Sequence, residues 1–146
     1  MCGSSKKWRY IPTESVFSNL PKNSAPALLP FHALTGCDTT SYIVDHTKRS
    51  SWKVFKDHNK LLNNLGIGEL TDETIKSSEA FVCRIYNVHQ SDSVDAARHK
   101  LFCRTAKPEA LSPTSDALHF HLMRVHYQTM TWINAHCATP KLPSPV

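Results

Sequence analysis

A mostly helical chain with one or two short strands is what the sequence predicts, and three observations predict it. Apolar residues recur at helical spacing, most clearly at Leu118, Leu122, Val125, Thr129, Trp132 and Ile133, which share one side of a helix turning about 100° per residue. Residues able to cap a helix stand before the apolar runs, at Thr13, Asn23 or Ser24, Thr71, and Ser112 or Thr114. Only Lys7-Trp8-Arg9-Tyr10-Ile11, short, aromatic and closed by Pro12, reads as a strand. At 146 residues, with 40% apolar and 20% charged side chains, the chain fits one small domain or the tail of a larger one and has material for a core.

In chain order, Thr13 caps a short helix over 14–20, ended by Pro21. The next helix takes Pro26 in its first turn and Ala27, Leu28, Leu29, Phe31, Ala33 and Leu34 as apolar surface. Pro30 is expected to kink or split it, lacking the amide a helix interior needs. Gly36 ends it, since glycine tolerates the left-handed backbone common after a helix. A third helix carries Arg49, Lys53, Lys56 and Lys60 on one narrow face, with Trp52, Val54, Phe55, Leu61 and Leu62 off that face; Asp57 and Asn59 are places where it can break. Gly66-Ile67-Gly68 forms a turn. Thr71 caps a helix over 72–87 whose first turn places Asp72 and Glu73 at the positive end of the dipole, although Phe81 to Tyr86 alone would also suit a strand. A helix over about 93–103 rests on Val94, Leu101 and Phe102, and a linker over 106–113 precedes the longest helix, which runs to about Ala138. Pro140, Pro143 and Pro145 prevent its continuation.

Seventeen Lys and Arg against twelve Asp and Glu give a net charge of +5, a mild bias toward anionic partners. No window approaches the roughly 20 apolar residues that span a bilayer, and the N-terminus lacks the apolar core of a secretory signal. Five widely spaced cysteines without a Cys-x-x-Cys pair argue against a zinc ribbon. An intracellular protein, nuclear or cytoplasmic and off the membrane, is the expectation.

The stretch around which these elements are organised is Phe31-His32-Ala33-Leu34-Thr35-Gly36-Cys37-Asp38-Thr39-Thr40-Ser41. It resembles the Leu-Gly-Cys-Asp signature of the flap-endonuclease (XPG/PIN-like) nucleases, and more closely the Phe-His-Ala-(Leu/Phe)-Thr-Gly-Cys-Asp-Thr of related proteins encoded by animal mobile elements. The resemblance extends to Arg9-Tyr10-Ile11-Pro12 and to Arg124, Tyr127, Gln128 and Trp132 near the end. It implies that residues 7–65 are the second half of a PIN-like α/β nuclease fold followed by extra helices. The implied organisation is a partial PIN-like and helical-hairpin region over 1–106, a long C-terminal helix over 107–138 and a disordered proline-rich tail over 139–146. In the family the aspartate matching Asp38 is one of several that hold divalent metal. Where the family's hairpin has Gly-x-Gly, this chain has Val44-Asp45-His46, removing the bare amides that approach a phosphate.

Two-metal phosphodiester hydrolysis needs several carboxylates around ions about 4 Å apart. Asp38 offers one ligand; Asp45 is a poor second, and Asp57, Asp72, Glu73 and Asp92 are explained as helix-end residues. Asp38 reads equally as a turn-stabilising residue beside Thr39 and Thr40. The chain alone is therefore expected to have no catalytic residues and no cofactor; magnesium would enter only with a complete nuclease site. The row of Arg49, Lys53, Lys56 and Lys60 suits the backbone of DNA or RNA, or else is an ordinary solvated helix face. His119 and His126 lie seven residues apart, about 10.5 Å along a helix, too far to share an ion, and Cys37 with His32 is a pairing that nine histidines make easy by chance. The functional expectation is an incomplete, non-catalytic relative of the mobile-element proteins with nucleic-acid-binding potential. The alternatives are a helical module that docks a protein partner through the C-terminal helix, and a magnesium-dependent nuclease completed by an absent N-terminal half.

Overall fold

A computed structural model describes residues 10–104 and 107–139. Six α-helices form among them: α1 Thr13–Ser18, α2 Ala25–Leu34, α3 Lys48–His58, α4 Asp72–Ile85, α5 Val94–Phe102 and α6 Ser115–Ile133, with short 3-10 turns at Asn59–Leu62 and Pro108–Ala110. No strand forms among the described residues: Tyr10 and Ile11 are irregular, and the remainder of the expected strand, 7–9, lies outside them, as does the proline-rich tail over 140–146. No described helix is long and apolar enough to cross a membrane.

Three of the six described helices start at a side-chain cap, whereas Thr13, expected as a cap, lies inside α1 behind Pro12, and Ser24 makes no capping bond. Thr47, Thr71 and Thr114 each accept a hydrogen bond from the amide three residues on, at Ser50, Thr74 and Ala117. Pro30 sits inside α2 without splitting it, because the hydrogen bond it forgoes would reach back only to Pro26 in the first turn. The basic helix does end where Asp57 and Asn59 suggest: α3 stops at His58, and Lys60 belongs to the 3-10 turn.

α4 is central. It packs against α3, α5, α6 and the Asn59–Leu62 turn, while α2 lies along α6. Phe31 of α2 joins these elements, its ring 4.7 Å from Phe55, 5.7 Å from Trp52 and 6.3 Å from Phe81. Leu34, Leu62, Leu65, Val82, Leu122 and Val125 complete a core closed to solvent. Ile133, expected within the α6 stripe, is exposed, whereas Leu118, Leu122, Val125 and Thr129 are buried.

Several carboxylates are committed to this framework. Glu79 Oε1 accepts from the Val94 amide at 2.8 Å and the Ser115 hydroxyl at 3.3 Å, joining α4 to the starts of α5 and α6. Asp95 accepts from the Ser115 amide at 2.9 Å, and this bond lowers its pKa. Asp92 pairs with Arg84 at 3.1 Å, the one ion pair among the described residues.

Candidate functional site

The segment 35–41 leaves the C-terminus of α2 and turns back over it. The sequence dictates the turn: Gly36 adopts φ +97°, open to glycine at little cost, and Thr40 closes it. The Thr40 hydroxyl donates to the Ala33 carbonyl at 2.7 Å, and the Cys37 amide donates to the Thr40 carbonyl and hydroxyl at 3.2 Å each. Thr35 donates to the Phe31 carbonyl at 2.7 Å. The hydroxyls thus stabilise the turn, leaving the exposed Asp38 carboxylate without a hydrogen bond or ion pair among the described residues.

Lys48, at the start of α3, clamps the turn from outside. Its ammonium donates to the His32 carbonyl at 2.7 Å, the Thr35 hydroxyl at 2.9 Å and the Gly36 carbonyl. A cation among the last carbonyls of α2 satisfies groups that no helix can bond internally and opposes the negative end of its dipole. Desolvation lowers the pKa of Lys48, against the pull of Cys37. Nothing in the sequence near α2 signals this role, because Lys48 lies 14 residues beyond the helix end and arrives only through the fold.

From the other side, α6 holds the same turn. Gln128 accepts from the Thr39 hydroxyl at 2.7 Å, and the Trp132 and His32 rings lie 5.6 Å apart. The 31–41 stretch and the part of α6 around Gln128 and Trp132 therefore touch. His32 makes no hydrogen bond to Cys37 among the described residues. Cys37 is half-exposed, and its sulfur meets the Thr39 hydroxyl at 3.3 Å and that of Thr40 at 3.0 Å. Burial raises the Cys37 thiol, but its contacts with the side chains and backbone of Thr39 and Thr40 hold it below its ordinary value.

Arg49, Lys53 and Lys56 on α3 and Lys60 on the following turn are all exposed, and none makes a salt bridge or side-chain hydrogen bond among the described residues. Asp38 stands at the turn that Lys48 ties to the N-terminal end of this helix. No three His, Cys, Asp or Glu side chains gather to hold a metal among the described residues. The donors present do not fit a magnesium site, which takes several oxygen ligands.

Two histidines of α6 have structural roles that spacing did not disclose. His126 accepts from the Gly66 amide at 2.9 Å through Nδ1 and donates to the Gly68 carbonyl at 3.1 Å through Nε2, fixing the glycine turn. His121 donates from Nε2 to the Leu34 carbonyl at 3.0 Å. Burial lowers the His121 pKa, opposed by that bond and assisted by Arg124; His32 and His46 are also lowered, chiefly by burial. An unfolded chain therefore takes up these protons more readily. The associated stability is present above the ordinary value of 6.5 and is lost as pH falls below it through the folded pKa values. The thermal midpoint is expected to fall by several degrees between about pH 7 and 5, and His121→Gln to flatten that slope; an unchanged slope would remove His121 from the account.

Comparisons of the chain with protein-family models, curated proteins and solved structures give no match.

Proposed function

We propose that this chain is a non-catalytic, incomplete relative of the flap-endonuclease-like proteins of mobile elements, one that binds the backbone of DNA or RNA through Arg49, Lys53, Lys56 and Lys60. The observation carrying this reading is that these four exposed cations have no acidic partner among the described residues. Asp57, the acid on the same helix, forms no ion pair with any of them among the described residues, so the row keeps its charge for an external anion. Phosphates reward such a row without any reading of base sequence. Asp38 occupies the position of the family's metal-binding aspartate but lacks companions, so hydrolysis is not part of the proposal.

The test is fluorescence anisotropy with a labelled oligonucleotide across a salt series. On duplex DNA, four phosphate contacts predict a log–log slope of about −3.6. Lys53→Glu with Lys56→Glu is expected to reduce its magnitude by about 2 and weaken binding at low salt at least about tenfold. Binding indifferent to both changes would overturn the proposal. So would magnesium-dependent degradation of DNA that stops on Asp38→Ala, which would restore the nuclease reading.

The protein-interaction alternative draws on α1 rather than α6. No residue of α1 is buried, and Tyr10, Ile11, Val16 and Phe17 are all at least half exposed, whereas the apolar side of α6 is used within the chain. Salt-insensitive capture of a protein, lost on Phe17→Ser, is the result that would favour it.

A further inference from the structure

Beyond the 35–41 turn, on a side that α3 does not reach, a pocket of about 310 Å³ opens between the 41–44 segment, α4, α5, the 111–113 segment and α6. Its volume lies at the lower end of the range for small-molecule sites. Ile43, Val82, Leu111 and Leu118 give it an apolar lining, and Arg98 and Arg124 contribute two guanidinium groups with no Asp or Glu among the lining residues. One guanidinium is already engaged, since Arg98 donates to the Ser112 carbonyl. Arg124 is exposed and makes no hydrogen bond or ion pair among the described residues.

Two further polar groups of the wall lack partners. His121 is 8% exposed; its Nε2 is taken by the Leu34 carbonyl, while Nδ1 is buried and unbonded. With the proton on Nε2, Nδ1 is an acceptor without a donor. Tyr86 is a buried residue whose hydroxyl keeps contact with solvent and has no hydrogen bond among the described residues. The unpaired, buried His121 Nδ1 costs about 1–3 kcal/mol, which a suitable ligand can recover.

We infer that this pocket binds a small monocarboxylic acid with a compact apolar body and a hydroxyl group. The carboxylate is received by Arg124, whose planar fork matches it. The body rests on Val82 and Leu118, and the hydroxyl meets His121 or Tyr86. A single unengaged guanidinium fits one negative charge better than a doubly charged phosphate, and the apolar wall suits an organic acid better than an inorganic ion. The inference is independent of nucleic-acid binding, because none of the four α3-side cations lines the pocket.

The test is titration of the isotope-labelled chain with 4-hydroxybenzoate, followed by the amide resonances of Val82, Tyr86 and His121. Saturable shifts are expected, at least about tenfold weaker with 4-hydroxybenzyl alcohol, which lacks the charge, and with acetate, which lacks the body. Arg124→Gln should weaken binding about tenfold without moving the thermal midpoint. Ala117→Trp, which fills the rim and keeps every charge, should abolish it. Equal binding of the alcohol, native affinity in both variants, or no saturable shift up to about 10 mM would overturn the inference.

Discussion

Gly36→Ala is expected to lower the unfolding free energy by about 2–5 kcal/mol, the sum of left-handed strain and overpacking. Gly36 has φ +97°, and a Cβ built there would lie 2.7 Å from the Tyr42 Cβ and 2.8 Å from the Tyr42 Cα. The second obstacle is backbone, so no change of rotamer relieves it. The neighbourhood resists yielding as well: the Gly36 carbonyl is held by Lys48, and Thr40 is bonded to Ala33. Thermal unfolding should show a midpoint lower by about 5–15 °C. Gly68→Ala is the control. Its φ is +62° but nothing lies within 4 Å of the added carbon, so only the strain of about 1–2 kcal/mol remains. Equal losses at the two positions would show that the approach of Tyr42 is immaterial.

Gly66→Ala is expected to cost at least as much. The added Cβ would fall 2.2 Å from the Thr129 Cγ2 and 2.5 Å from its Cβ, at φ +90°. Thr129 is buried in the C-terminal part of α6 and has no free direction in which to retreat. The Gly66 amide also donates to His126, so any shift that relieves the clash endangers a buried hydrogen bond. The contact can be isolated by a double-mutant cycle. Thr129→Ala removes only the Cγ2 obstacle and should rescue Gly66→Ala in part; Thr129→Gly removes both and should rescue it further, less its own helix penalty of about 1 kcal/mol. Strict additivity of the two changes would sink this explanation.

How much of the molecule was legible depended on whether the deciding interaction was local. The capping threonines before α4 and α6 could be found because a cap spans three residues. The helical choice for α4 held, with Asp72–Ile85 close to the expected 72–87, because its periodic apolar face outweighed the strand-like run within it. Gly36 was legible as a left-handed helix end for the same local reason. The strand signal failed at Tyr10 and Ile11, where no other strand among the described residues offers a partner; strand propensity expresses packing against neighbours more than an intrinsic preference.

The interactions that shape the candidate site were long-range. Lys48 reads as one more cation beside Arg49, yet its ammonium is committed to three oxygens around the end of α2. His121 and His126 stood in a helix of mixed polarity, and their backbone partners lie 87 and about 60 residues away. The exposed cations required less inference, since residues spaced four, three and four apart share a face wherever the helix lies. Tertiary structure then added a fact that spacing lacks: none of those side chains forms an ion pair among the described residues, not even with Asp57 of the same helix.

The bonds from Leu34 to His121 and from Thr39 to Gln128 join positions nearly ninety residues apart. During synthesis, chains emerge from the ribosome N-terminus first. The nascent protein can therefore form the backbone turn after α2 early, but cannot brace it until α6 has been translated and released from the exit tunnel. A message cut short before Gln128 would yield a product bearing the whole 31–41 motif without the side chain that secures its outer edge.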